Sequence, residues 1–321
     1  MKNINKAILI ILVAGISLAF AAWAPLEDVP TTPGMKGVKD GGALVVHGTM
    51  FYAFQGGNSV NFFAYDPGTG HWAIKCSIPF DSVLGNHGYR KIKNRVKNGG
   101  ALVSCGDYIY AFKGGNTREF WAYDPVGNSW TKKCSIPRGI EMKKVSHGGA
   151  LVAYDGNIYA FKGGNTDVFW MYDPAGDAWT PKAPLITLDG KRIKNGGALV
   201  AYNNKIYAFV GGNTRHFYYY LPDAWTLEPV VTFGPDSLKR GKQIKDGAAL
   251  TVLNDKIYAF KGGNSESFGY YDPAISTWFT LEILPILPAK RVNHGGSLTT
   301  YNGVIYAFKG HNTKQFWSYT P

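Results

Sequence analysis

Cysteine is scarce in this 321-residue chain. Its three residues are an odd number, which excludes a framework of fully paired disulfides as what holds the molecule together. Acidic residues are also short, 22 against 34 Lys and Arg, for a formal net charge of +12. The few glutamates (Glu27, Glu119, Glu141, Glu228, Glu266, Glu282) show no recurring partner, so no carboxylate pair for acid–base catalysis can be picked out. No Gly-x-Ser-x-Gly elbow and no phosphate-binding loop occurs. The seven histidines lack metal-ligand spacing, so neither metal nor cofactor is expected. Beyond Phe20 no apolar run approaches the ~20 residues of a membrane span.

The run from Ala7 to Phe20 is apolar, follows Lys2 and Lys6, and ends in Ala19-Phe20-Ala21, with small residues where a signal peptidase reads. Residues 1–21 are therefore expected to be a signal peptide and 22–321 the mature domain. Export to a periplasm, cell surface or medium follows, with no transmembrane segment after cleavage.

Glycine is plentiful, at 40 residues, and aromatics make up 15%. Both are concentrated in a repeat. Asp40-Gly41-Gly42 returns at Asn98, His147, Asn195, Asp246 and His294, at intervals of about fifty residues. About a dozen residues later comes a second phrase, Tyr110-Ala111-Phe112-Lys113-Gly114-Gly115-Asn116-Thr117 in the clearest copy. An aromatic strand ending in Tyr-Asp-Pro follows (Tyr65, Tyr123, Tyr172, Tyr271), then a tryptophan (Trp72, Trp130, Trp179, Trp225, Trp278). Turn residues punctuate every join, so each unit reads as four short strands, a to d. Such a sheet cannot bury both faces alone, and six of them predict an all-β, six-bladed propeller. The sixth unit stops at Tyr319-Thr320-Pro321 without a strand d, while Trp23-Ala24-Pro25-Leu26 parallels Trp179-Thr180-Pro181-Lys182. The N-terminal segment is expected to supply the missing strand and close the ring.

The double glycine after a tyrosine-containing strand, the Tyr-Asp-Pro and the spaced tryptophan resemble the kelch repeat, over essentially the whole mature chain. One residue (Lys113 and its equivalents) is inserted before the second Gly-Gly, and the fourth unit is shortened at Tyr220-Leu221-Pro222-Asp223. Exported six-bladed kelch proteins include sialic acid mutarotases, which bind an anionic sugar at the channel mouth. The resemblance would place such a site near Arg138, Glu141 and His147. Some kelch proteins are copper oxidases, but the additional blade and ligand set of those enzymes have no counterpart here.

In a four-stranded blade the b–c and d–a connections emerge on one face of the disc, the a–b and c–d turns on the other. Basic residues gather on the first face, including Arg90, Lys91, Lys93, Arg95, Lys239, Arg240 and Lys242; Asp66, Asp107, Asp124, Asp155 and Asp173 gather on the second. A binding surface is expected on the basic face. Around the channel mouth Lys97-Asn98, His147, Lys194-Asn195, Lys245 and His294 form a polar ring. Outside it a second ring of lysines (Lys113, Lys162, Lys261, Lys309) accompanies Asn116, Asn165, Asn264 and Asn312. Asparagine is also the ordinary occupant of such a turn, whereas lysine is not needed there. A solvated charged surface alone is the plain alternative.

An acidic polysaccharide or a protein partner is the expected ligand, and no catalysis is expected. Self-association by stacking basic face on acidic face is the structural alternative. Nucleic acid is not expected, because the aromatics fall on core strand positions instead of an exposed stacking track. Cys76 and Cys134 occupy equivalent sites on adjacent units, too far apart for the ~5.5 Å of a disulfide. The alternation Trp72, Ile74, Cys76, Ile78 predicts two core-filling thiols, and Cys105 a third free one.

Overall fold

The computed structural model describes residues 22–30, 36–80, 82–85, 88–91, 95–234, 243–286 and 289–321. The expected signal peptide lies outside these residues. So do Lys93, Lys239, Arg240 and Lys242 and the side chains of Arg90 and Lys91.

Blade one shows how the repeat folds. Strand a (Ala43–His47) turns through Gly48, at φ 58°, into strand b (Met50–Phe54); strand c (Phe62–Asp66) and strand d (His71–Ile74) complete the antiparallel sheet. Strand b is apolar on both sides because each blade is sandwiched between two others. The chain lays six such sheets in a ring, and an extra hairpin (Ser82–Gly85 with Gly88–Lys91) stands in the connection from blade one to blade two.

Blade six is composite. Strands a to c are Ser297–Tyr301, Val304–Phe308 and Phe316–Thr320; strand d is the N-terminal Ala22–Pro25, paired Trp23 to Tyr319. The ring thus closes through hydrogen bonds between the two ends of the chain, as the truncated sixth repeat predicts.

The core is divided among the blade interfaces, and the strand-d tryptophan is its wedge. Trp130 stacks on Phe54 of blade one at 5.8 Å and meets Phe62 edge-on at 4.9 Å. Trp23 does the same with Phe260 and Phe268 of blade five. At the narrow end the double glycine is a packing requirement. Gly99 sits at φ 83°, and a Cβ there would lie 2.0 Å from the Ser146 carbonyl oxygen of the next blade. One at Gly100 would lie 2.7 Å from the Gly41 oxygen of the previous blade.

Two expectations about the cysteines need correction. All three thiols are free, but Cys76 and Cys134 are exposed. Strand d ends at Ile74, which is 73% exposed, so the alternation has lapsed by Cys76. What the cysteine positions provide is backbone. The Cys76 carbonyl accepts the Trp130 indole N–H at 2.8 Å, and the Cys76 N–H donates to Asn128 Oδ1 at 3.0 Å. Cys134 repeats this with Trp179 and Asp177.

Candidate functional site at the channel mouth

The residue before each first Gly-Gly sits where six blades converge. Asp40, Asn98, His147, Asp246 and His294, with the glycine backbones beside them, line a cavity of about 100 Å³ at the mouth of the channel. Below it the six strands a line the channel, and their leucines (Leu44, Leu102, Leu151, Leu199, Leu250 and Leu298) are buried in the blade interfaces.

The mouth residues are coupled. His294 Nδ1 donates to Asp40 Oδ1 at 2.9 Å and lies 3.6 Å from Asp246 Oδ1; the Asn195 amide donates to Asp246 Oδ2 at 2.9 Å. One chain of contacts therefore links blades one, six, five and four. The hydrogen bond to Asp40 holds His294 above the usual histidine range, burial opposing it. The same bond holds Asp40 below the usual carboxylate range. The sequence places these groups in one ring but gives no sign of their pairing. Among the described residues no group of three or more His, Cys, Asp or Glu is arranged to hold a metal.

Around the ring stands a collar, the residues one position earlier: Lys39, Lys97, Ser146, Lys194, Lys245 and Asn293. Lys97, Lys194 and Lys245 are exposed and Lys39 is half-buried. Their placement follows from backbone pairing. The Lys97 N–H donates to the Lys113 carbonyl, and the Lys245 N–H to that of Lys261, which fixes the collar against the b–c loops.

The second lysine ring is a correction. Lys113, Lys162 and Lys309 are 0% exposed and Lys261 only 3%. The inserted residue folds inward beneath its loop, where each ammonium finds oxygen acceptors or an aromatic face. Lys113 pairs with Glu119 and lies 4.7 Å from the centre of the Trp121 ring. Lys162 donates to the carbonyls of Pro137, Arg138 and Lys143. Lys309 donates to Pro285 O at 2.6 Å and Gln315 Oε1 at 2.9 Å, above Trp317. Lys261 lies over Phe233, which fills the space that Gly269 leaves where the other blades carry Trp121, Trp170 or Trp317. Burial pushes Lys162 and Lys309 each down to about 8, with Glu141 pulling Lys162 the other way. These lysines hold connections in place and present no charge to a large ligand.

The asparagines Asn116, Asn165, Asn264 and Asn312 all lie at φ between 61° and 67°, as do Asn58 and Asn213. Asparagine tolerates that left-handed conformation better than most residues. Its side chain also closes the loop in blade six, where Asn312 Oδ1 accepts the Gly37 N–H at 3.0 Å. Asn116, Asn165 and Asn312 remain exposed on the face all the same. On the opposite face, Asp66, Asp124, Asp173 and Asp272 each accept a backbone N–H two residues on, which is turn chemistry.

No family model matches the chain, and no curated protein matches it by sequence. A solved structure of YjhT is similar to it: 12% identical, with a TM-score of 0.60, covering 92% of this chain and 95% of that one. What the likeness establishes is the fold. At 12% identity it carries no residue-level role from YjhT to this chain.

Proposed function

We propose that the chain is an exported kelch-type binding module that engages an acidic glycan or polymer on the mouth face, and that it is not an enzyme. The observation that carries this reading is the collar, where four of six equivalent positions are lysine and three of those are exposed. A ring of cations around a concave polar mouth concentrates anions, and several weak contacts to one polymer add through effective concentration. The collar lysines spring from a glycine-packed rim, so the backbone needs little ordering on binding. The inner ring of Asp40, Asn98, His147, Asn195, Asp246 and His294 supplies donors and acceptors suited to hydroxyl groups at the centre.

The test is capture of the purified protein on an array of acidic and neutral glycans at two salt concentrations. Salt-sensitive capture of acidic members is expected, since screening acts over ~8 Å at physiological ionic strength. Equal capture of neutral members, or none at either salt, would contradict the glycan reading.

A further inference from the structure

At each junction between blades, a single antiparallel bridge ties a b–c loop to the following d–a connection. The bridges Thr117–Val145, Thr166–Ile193 and Ser265–Val292 are three equivalents. In that register the residue after the first partner lies opposite the residue before the second. At the junction of blades three and four this sets Asp167 against Arg192, whose guanidinium lies 3.6 Å from Asp167 and 3.0 Å from Glu141. At the junction of blades five and six it sets Glu266 against Arg291, also an ion pair. Both junctions are neutralised internally.

The junction of blades two and three is built otherwise. The same register sets Arg118 against Lys144. A third cation, Arg138, joins them, and the three line a groove of about 260 Å³ with Asn116, Thr117, Glu119 and Ser135. Glu119 does not neutralise them, because it is buried and engaged by Lys113 and by the Trp121 indole N–H at 3.1 Å. Among the described residues no carboxylate forms an ion pair with Arg118, Arg138 or Lys144. The other three junctions oppose Val60 to Arg95, Arg215 to Gln243 and Lys314 to Gly37, so none of them sets two cations face to face. Like charges directly opposed across a strand pair destabilise it. Here that cost is concentrated at a concave site with three polar side chains around it. The positive field reaches Lys162 as well, where Arg118 helps to hold the proton affinity down.

We infer that the groove between blades two and three is an oxyanion site, in which Arg118, Arg138 and Lys144 hold a doubly charged group such as sulfate or phosphate. Two guanidinium forks and an ammonium can surround such a group, with Asn116 and Ser135 completing its hydrogen bonds. A single carboxylate would leave two of the three cations uncompensated. The site deepens the acidic-ligand reading by seating one charged group of that ligand, but it lies apart from the collar and is tested apart from it.

The experiment titrates inorganic sulfate, inorganic phosphate and acetate into the purified protein at pH 8 and fixed ionic strength, by calorimetry. Sulfate and phosphate should bind at millimolar concentration and acetate about tenfold more weakly or worse. Arg118→Asp copies the self-neutralised junction of blades three and four, so it should fold normally and lose sulfate affinity about tenfold or more. Lys144→Gln should weaken sulfate in the same direction, which guards against a folding defect in the first variant. Lys314→Gln, at the exposed position of blade six equivalent to Arg118, should leave sulfate affinity unchanged. Unchanged affinity in folded Arg118→Asp and Lys144→Gln, or sulfate binding no better than chloride, would overturn the site. Loss on Lys314→Gln alone would also overturn it, while leaving the collar reading intact.

Discussion

The Trp130 indole N–H donates to the Cys76 carbonyl of the preceding blade at 2.8 Å. The relationship recurs at every junction: Trp72 to Glu27, Trp179 to Cys134, Trp225 to Ala183, Trp278 to Pro229, and Trp23 to Glu282. Six indoles therefore clasp the blades in sequence, and the sixth belongs to the N-terminal strand. Trp130→Phe keeps the wedge and removes the donor. It should cost about 0.5–1.5 kcal/mol, the net worth of one hydrogen bond whose carbonyl can turn to water. Denaturant unfolding measures this; a loss below a few tenths would deny the clasp its role.

Trp23→Ala should be more damaging. It removes a ring in contact with Phe260, Phe268 and Tyr319 and weakens the seam between the chain ends. A loss of about 3–5 kcal/mol is expected, with amides of Phe316–Thr320 exchanging faster than those of blade three. Uniform exchange across all blades would contradict a seam at this place.

The buried lysines make stability depend on alkaline pH. In the folded chain Lys162 and Lys309 release their protons at about 8, in the unfolded chain near the ordinary 10.5. Between those values the unfolded state binds more protons, so unfolding free energy should rise from about pH 8 toward 10. Cys105, held above its usual value by burial, takes back one group's share beyond pH 9. Above pH 10 the trend should reverse, because burial pushes Tyr110 and Tyr319 up to about 12 and the unfolded chain ionises first. Lys309→Met should flatten the rising limb. A rising limb identical in that variant would contradict the assignment.

At the mouth, proton NMR should find His294 titrating above the ordinary histidine value, and Asp40→Asn should bring it down. The Asp40–His294 pair stabilises the fold in the window between the lowered carboxylate and the raised imidazole. That contribution is lost as acid protonates Asp40 and, on the other side, as rising pH deprotonates His294. An imidazole titration indifferent to Asp40→Asn would break the link.

Thiol chemistry distinguishes the cysteines. Cys76 and Cys134 should react readily with a maleimide in the folded protein and Cys105 more slowly, being half-buried with its thiol pKa raised. Serine at Cys76 or Cys134 should change stability by less than about 0.5 kcal/mol. Equal protection of all three would mean that the first two are packed after all.

The fold was legible because its constraints are stereochemical and repeated. Gly99 and Gly100 admit no Cβ, and Trp23 completes a blade that ends at Thr320 without its outer strand. Side-chain direction in the loops was not legible in the same way. Lys113 follows strand b and precedes Gly114 in either orientation, and nothing local says whether it turns out or in. A cue did exist farther along: Gln55 with Asn61, Lys113 with Glu119, and Lys309 with Gln315 each pair a polar residue with one six positions on. Cys76 was misplaced for a different reason: the alternation already fails at Ile74, the last residue of strand d, which is exposed. The pairing of His294 with Asp40 and Asp246 joins blades whose residues are far apart in sequence, and only closure of the ring brings them together.

The collar reading is tested most directly by the salt dependence of binding to a sulfated polysaccharide, compared between the protein and its Lys97→Glu/Lys194→Glu/Lys245→Glu variant. These side chains are exposed, so the variant should keep its fold. Affinity should fall steeply with salt in the parent protein, and the variant should bind at least about tenfold more weakly and with a shallower salt slope. Equal affinity and an equal salt slope in the two would contradict it.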